Sequence, residues 1–188
     1  MRHLLFTLMM TLALVCSAQS ADKLYQEGKK LYDAERYTQA VPKLRAAAQK
    51  GHKKAQYRLG KCYDKGHGVT EDDRQAVAWY AKAAAQGHAK SQYELGKCYK
   101  NGEGVAKNMK KAIELFTKAA NNGNGDAQLA LGKCYLKGNG VPVDKAKARA
   151  WCKKAVKNDK DGKEIMQKLR KDANEGDADA KAILQLIK

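Results

Sequence analysis

The chain has 188 residues, a formal net charge of +17 and only two prolines. That length suits one compact domain or a short repeat array. The composition shows no low-complexity or Pro-rich stretch, which excludes a disordered linker protein, and the charge directs attention to anionic partners.

The first segment is Met-Arg-His followed by LLFTLMMTLALVC and then SAQSADK. A basic start, an apolar run and a small-residue end read as a secretory signal peptide over residues 1–21. The apolar run from Leu4 to Val15 is too short to span a bilayer. Cleavage after Ala18 or Ser20 is expected, giving a periplasmic or secreted protein. A lipoprotein reading of Cys16 is disfavoured by Val15, because the position before a lipidated cysteine takes a small residue. No later segment is apolar enough to cross a membrane.

Residues 22–188 form one predicted domain of helices. Over 22–52, YQEGKKLYDAERYTQAVPKLRAAAQKG reads as a helix pair. Next, LGKCYDKGHGV at Leu59–Val69 recurs as LGKCYKNGEGV at Leu95–Val105 and LGKCYLKGNGV at Leu131–Val141. The period is thirty-six residues with no insertion, so units span 53–88, 89–124 and 125–158. A fixed period in this range marks a solenoid of helix pairs. Ala55, Leu59, Cys62 and Tyr63 have helical spacing and end at Gly66, which suits a left-handed C-terminal residue. After the GHGVTE loop, Asp72, with Asn108 and Asp144 at the same register, is the expected N-cap of a second helix. Ala40 and Gly51 lie thirty-six residues before Ala76 and Gly87, so 22–52 is a shorter copy whose inter-helix loop has lost four residues. The tail, 159–188, reads as two capping helices broken near Glu175-Gly176-Asp177. The GxG pairs lack the preceding strand that a phosphate-cradling dinucleotide loop needs.

The pattern A-x(3)-L-G-x-C-Y-x(2)-G-x-G-V-x(6)-A-x(2)-W-Y-x-K-A-A-x-x-G resembles the Sel-one-like repeat, a relative of the tetratricopeptide repeat. The resemblance covers the three full copies and makes 22–52 look like a plain tetratricopeptide unit. It implies an all-α, right-handed α/α solenoid of about ten helices. It also implies that the first helix of each unit lines a concave groove. In this sequence that places Lys29, Lys61, Lys97 and Lys133 on the groove, with Tyr25, Tyr57 and Tyr93, then Leu129, four residues earlier on the same face. Lys82, Lys118 and Lys154 belong to the KAA motif and read as ordinary surface.

These features lead to a non-catalytic exported scaffold. Its basic groove would bind a protein or peptide with acidic or carboxylate groups, and the scaffold itself would be monomeric. Nucleic acid is disfavoured by the export signal. The alternative implied by the resemblance is an exported enzyme of the cysteine-rich type, acting on β-lactam or cell-wall ligands. Such an enzyme would need a Ser-x-x-Lys nucleophile. The single match, Ser20–Lys23, falls at the expected cleavage site, and Ser91 is the one serine after it. No cofactor or metal is expected, because no His or Cys set has ligand spacing. Cys62, Cys98 and Cys134 share one register position, and equivalent residues of stacked helices stand about 10 Å apart, too far for a disulfide. They are expected to be buried thiols. A Cys134–Cys152 bridge within one repeat stays open.

Overall fold

The computed structural model describes residues 20–188. The segment read as a signal peptide lies outside the described residues, apart from Ser20 and Ala21 at the start of the first helix. The described residues are all-α with no strand, as the period requires. The described residues divide into two compact units, one ending at Gln86 and the other running Gly87–Lys188.

In the first unit α1 covers 20–33, followed by α2 (Tyr37–Gln49), α3 (Lys53–Lys65) and α4 (Asp73–Ala85). Leu44, Ala47, Ala55, Leu59 and Cys62 form its core with Trp79 and Tyr25. In the second unit the order is α5 (Ala89–Asn101), α6 (Met109–Asn121), α7 (Gly125–Lys137), α8 (Lys145–Val156), α9 (Gly162–Asn174) and α10 (Ala178–Ile187). Phe116, Leu131 and four alanines make one cluster there. Cys152, Ile165, Leu169 and Ile183 anchor another. The tail is therefore two packed helices, broken at the expected Glu175–Asp177 turn. Among the described residues no helix is long and apolar enough to cross a membrane.

Helix ends follow from local chemistry. Asp72, Asn108 and Asp144 accept the backbone N–H three residues on, at 3.0, 2.9 and 2.8 Å. Each such cap is worth about 1 kcal/mol. The same bond from Lys147 N–H holds the Asp144 carboxyl below the usual carboxylate range. The first helices have a second cap series. His52 Nδ1 accepts from Ala55 N–H at 3.1 Å, His88 Nδ1 from Ser91 N–H at 3.3 Å, and Asn124 Oδ1 from Ala127 N–H at 2.7 Å. The histidines are thus at the repeat turns, where their ring nitrogen does the work of an Asx oxygen.

Each unit repeats a close helix approach. A Cβ on Gly60 would stand 2.6 Å from the Tyr80 ring, and one on Gly96 would stand 2.6 Å from Phe116. In the third repeat Gly132 meets Cys152 Sγ. Cys152 therefore occupies the register of Tyr80 and Phe116 and fills the space a ring takes elsewhere. All four described cysteines are buried and none is in a disulfide, so the open Cys134–Cys152 bridge is not formed. Burial pushes the Cys62 and Cys152 thiols up to about 11.

A relay of side-chain amides joins successive helices. Gln56 Nε2 donates to Ala48 O at 3.1 Å, and Gln86 Nε2 donates to Gln56 Oε1 at 2.7 Å. In the second unit Gln128 Nε2 donates to Ala120 O at 3.1 Å, Asn122 Nδ2 to Gln92 Oε1 at 3.0 Å, and Asn158 Nδ2 to Gln128 Oε1 at 3.3 Å. Gln56, Gln92 and Gln128 are buried, and an unpaired buried amide would cost roughly 1–3 kcal/mol. The relay thus ties register to burial.

Candidate functional site

The lysines at the common register sit on the first helix of each pair, half-buried. Three have a local carboxylate. Lys29 Nζ lies 2.6 Å from Asp33 Oδ2, Lys61 Nζ 3.6 Å from Asp64 Oδ2, and Lys97 Nζ 2.8 Å from Glu94 Oε2. The Lys29–Asp33 pair is exposed, and such a pair contributes about 0–1 kcal/mol. The Lys29 hydrogen bond holds the Asp33 carboxyl below its usual range. Lys133 has no carboxylate within ion-pair distance among the described residues.

The tyrosines diverge. Tyr25 is 6% exposed and packs in the first core, with its ring stacked on His52 at 4.3 Å. It departs from the expected groove surface, because His52 as an N-cap presents a flat ring that covers it. The other His52 nitrogen, Nε2, reaches Asp22 at 2.9 Å. Tyr57 is half-buried against Tyr80, centroids 6.1 Å apart. Tyr93 lies beside Phe116 at 5.8 Å, and Lys97 Nζ stands 5.7 Å from the Tyr93 centroid. Burial, then Asp126, pushes the Tyr93 phenol up to about 12, so it is a neutral hydrogen-bond donor near pH 7.

Three of the expected residues, Tyr93, Leu129 and Lys133, come together in a cleft of about 310 Å³ in the second unit. Its apolar floor includes Phe116, Leu129, Ile165 and Leu169. Lys100, Lys137 and Lys168 join Lys133 around it. The cleft also holds Asp126, Asp172 and Asp179. Lys137 is taken up by Asp179 at 2.5 Å. Burial, then Asp161, raises the Asp126 carboxyl above its usual range. Lys29, Lys61, Lys97, Tyr25 and Tyr57 do not line this cleft.

Sequence reasoning missed several of these groups. Lys100 and Lys137 fall outside the repeated lysine register, and Lys168 belongs to the divergent tail. In the first unit it missed Arg58, whose guanidinium pairs with Asp33 at 3.1 Å and lies 5.0 Å from the Tyr32 centroid. Lys82 and Lys154 are exposed, as expected, and each stands over a tryptophan, Trp79 at 4.2 Å and Trp151 at 5.1 Å.

No His, Cys, Asp or Glu group among the described residues could hold a metal ion. Ser91 Oγ lies 2.9 Å from His88 Nδ1. That nitrogen already serves as the α5 cap, and Ser91 is 0% exposed. The pair is a helix-end bond with no access for a substrate.

Comparison with known proteins fits this geometry. The Sel1 repeat model matches residues 53–88, 89–124 and 125–160. The chain belongs to the Sel1 repeat family. The third Sel1 repeat runs two residues past the boundary expected at 158. The chain is similar to a Sel1 repeat protein from Oxalobacter formigenes, at 30% identity and a TM-score of 0.69, over 83% of this chain and 72% of that one. It is also similar to a protective antigen of uropathogenic Escherichia coli that displays an SLR fold. That match has 33% identity and a TM-score of 0.71, over 80% of this chain but 33% of that protein. No curated protein matches the chain. Together these matches make the fold an all-α repeat solenoid. Sel1 repeats serve generally as protein-interaction scaffolds.

Proposed function

We propose that this Sel1 repeat protein is an exported, non-catalytic scaffold that holds an acidic protein or peptide against its first-helix faces. The observation that carries the reading is Lys133. It lines a cleft with an apolar floor and has no carboxylate within ion-pair distance among the described residues. Lys29, Lys61 and Lys97 supply the same cation at the same register, each beside a neighbouring carboxylate. A partner carboxylate would compete with those local pairs. Tyr93 and Leu129 would cover its apolar side chains, and rigid aromatic area costs little conformational entropy on binding.

The test is capture from the source organism's envelope by wild type and by a Lys61/Lys97/Lys133→Glu variant. Wild type should retain a partner whose binding weakens with salt, since exposed charges are screened within about 8–10 Å near physiological ionic strength. The variant, checked for unchanged helicity, should lose it. Equal capture by both would refute the lysine reading.

Export rests on the first twenty-one residues. Intact-mass analysis of protein recovered from cells should find an N-terminus between Gln19 and Lys23. A chain that still begins at Met1 would remove export from the proposal.

A further inference from the structure

The positive charge is unevenly placed, and its densest element is away from the cleft. Helix α8, KAKARAWCKKAV, has five cationic side chains and no acidic one. Ala148, Cys152 and Ala155 are its buried residues. At 100° per residue, the opposite side presents Lys147, Arg149, Lys153, Lys154 and, one residue past the helix, Lys157. Ala146 and Ala150 lie between them, both exposed. For comparison, α6 has Lys110, Lys111 and Lys118 with Glu114 among them.

Helix stability favours only part of this pattern, since Lys153 and Lys154 lie in the last turn, where the dipole favours cations. Lys145 and Arg149, and Arg149 and Lys153, are like charges at i,i+4, which destabilise a helix. Lys145 and Lys147 lie in the first turn, where the helix dipole disfavours cations. Lys147 is relieved by Asp144 at 3.3 Å. Arg149, Lys153 and Lys157 have no carboxylate within ion-pair distance among the described residues. An external anionic surface would relieve them.

We propose that the outward face of α8 is a contact site for an anionic lipid bilayer, held at the headgroup level. Three features favour a bilayer over a soluble polyanion. The face is one convex helix with no groove to follow a nucleic-acid backbone. Its cations are mostly lysines spaced around small alanines, so a fluid layer of headgroups can approach closely without fixed geometry. Its margins hold half-buried Trp151 and, in the preceding loop, Val143, which is 59% exposed. An indole and an aliphatic side chain gain from a membrane interface and gain little from a phosphate backbone. This contact is separate from the first-helix faces and does not depend on them.

The experiment is co-sedimentation of the full chain with two kinds of vesicle. One is equal parts phosphatidylglycerol and phosphatidylcholine, and the other is phosphatidylcholine alone. Wild type should pellet with the anionic vesicles only, and less at higher salt. Each cation near such a surface changes partitioning about five-fold, so Arg149/Lys153/Lys157→Gln should lower it on the order of 100-fold. A second variant, Ala146→Glu/Ala150→Glu, places acid at the centre of the face and should also lose binding. Lys61/Lys97/Lys133→Gln should pellet as wild type does. The proposal is overturned by equal pelleting of wild type and the α8 variants, by equal pelleting with both kinds of vesicle, or by an equal loss in the Lys61/Lys97/Lys133 variant. It is equally overturned if the chain binds heparin or duplex DNA and ignores the vesicles.

Discussion

Replacing Phe116 by alanine is expected to cost the second unit about 3–5 kcal/mol. Phe116 is 1% exposed and sits among Ala112, Ala119, Ala120, Ala127 and Leu131. Its fully buried neighbours are mostly alanines, whose methyl groups cannot reach into the vacated volume, so the cavity should persist. A urea titration followed by circular dichroism would show the loss as a lowered midpoint. The Gly96 contact sharpens the test. In wild type, Gly96→Ala drives a Cβ to 2.6 Å from the Phe116 ring, and overpacking costs about 1–3 kcal/mol. In the Phe116→Ala background that obstacle is gone. The same change should then stabilise α5 by about 1 kcal/mol, the ordinary preference of a helix for alanine over glycine. A reversal of sign shows that Gly96 is there to admit the ring. If Gly96→Ala costs the same in both backgrounds, the close approach does not explain the glycine.

Gly68→Ala is expected to cost the first unit about 3 kcal/mol. Two effects add. Gly68 has φ +72°, and a side chain there costs about 1–2 kcal/mol. An added Cβ would also stand 2.5 Å from Tyr37 C and 2.7 Å from Thr38 N. Both are backbone atoms in the first turn of α2, so that turn must move. That movement would pull Tyr37 away from His67, whose ring stacks on it at 4.1 Å. Gly51→Ala is the control, because Gly51 has φ +86° and nothing within 4 Å of the added Cβ. It should cost only the conformational share, about 1 kcal/mol. The difference between the two urea midpoints measures the backbone contact. Equal midpoints would show that Gly68 is needed for its φ alone.

The two predictions differ in how legible they were. The thirty-six-residue register of Gly60, Gly96 and Gly132 was plain in the sequence, and so was that of Tyr80, Phe116 and Cys152. That each glycine faces the member of the second series in its own repeat was not plain, because periodicity orders positions without saying which helix faces touch. The amide relay was hidden the same way. Gln56, Gln92 and Gln128 recur, as do Gln86, Asn122 and Asn158, yet polar residues at such positions read as surface until burial is known.

The candidate site was legible in part. The lysine register could be read because a duplicated unit copies its side chains. The local carboxylates at Asp33, Asp64 and Glu94 were also within reach, since they lie three or four residues away on one helix. The burial of Tyr25 required knowledge of where His52 points. The cleft required α5, α6, α7, α9 and α10 to be placed around it, and two of those helices lie in the tail, outside the repeat pattern.

By itself, then, the sequence determined what local chemistry and repetition determine. That covers the helices, their caps at Asp72, Asn108 and Asp144, the glycine stops at Gly66, Gly102 and Gly138, and the family. Each depends on neighbours within a few residues, or on copies of them. The tertiary structure alone decided which repeated residues became surface and which became core. It turned Cys152 into a stand-in for a ring, left Lys133 in a cleft without an ion pair among the described residues and put the cations of α8 on one outward face. Those outcomes depend on contacts between helices distant in sequence, where packing and charge are set by geometry that no period encodes.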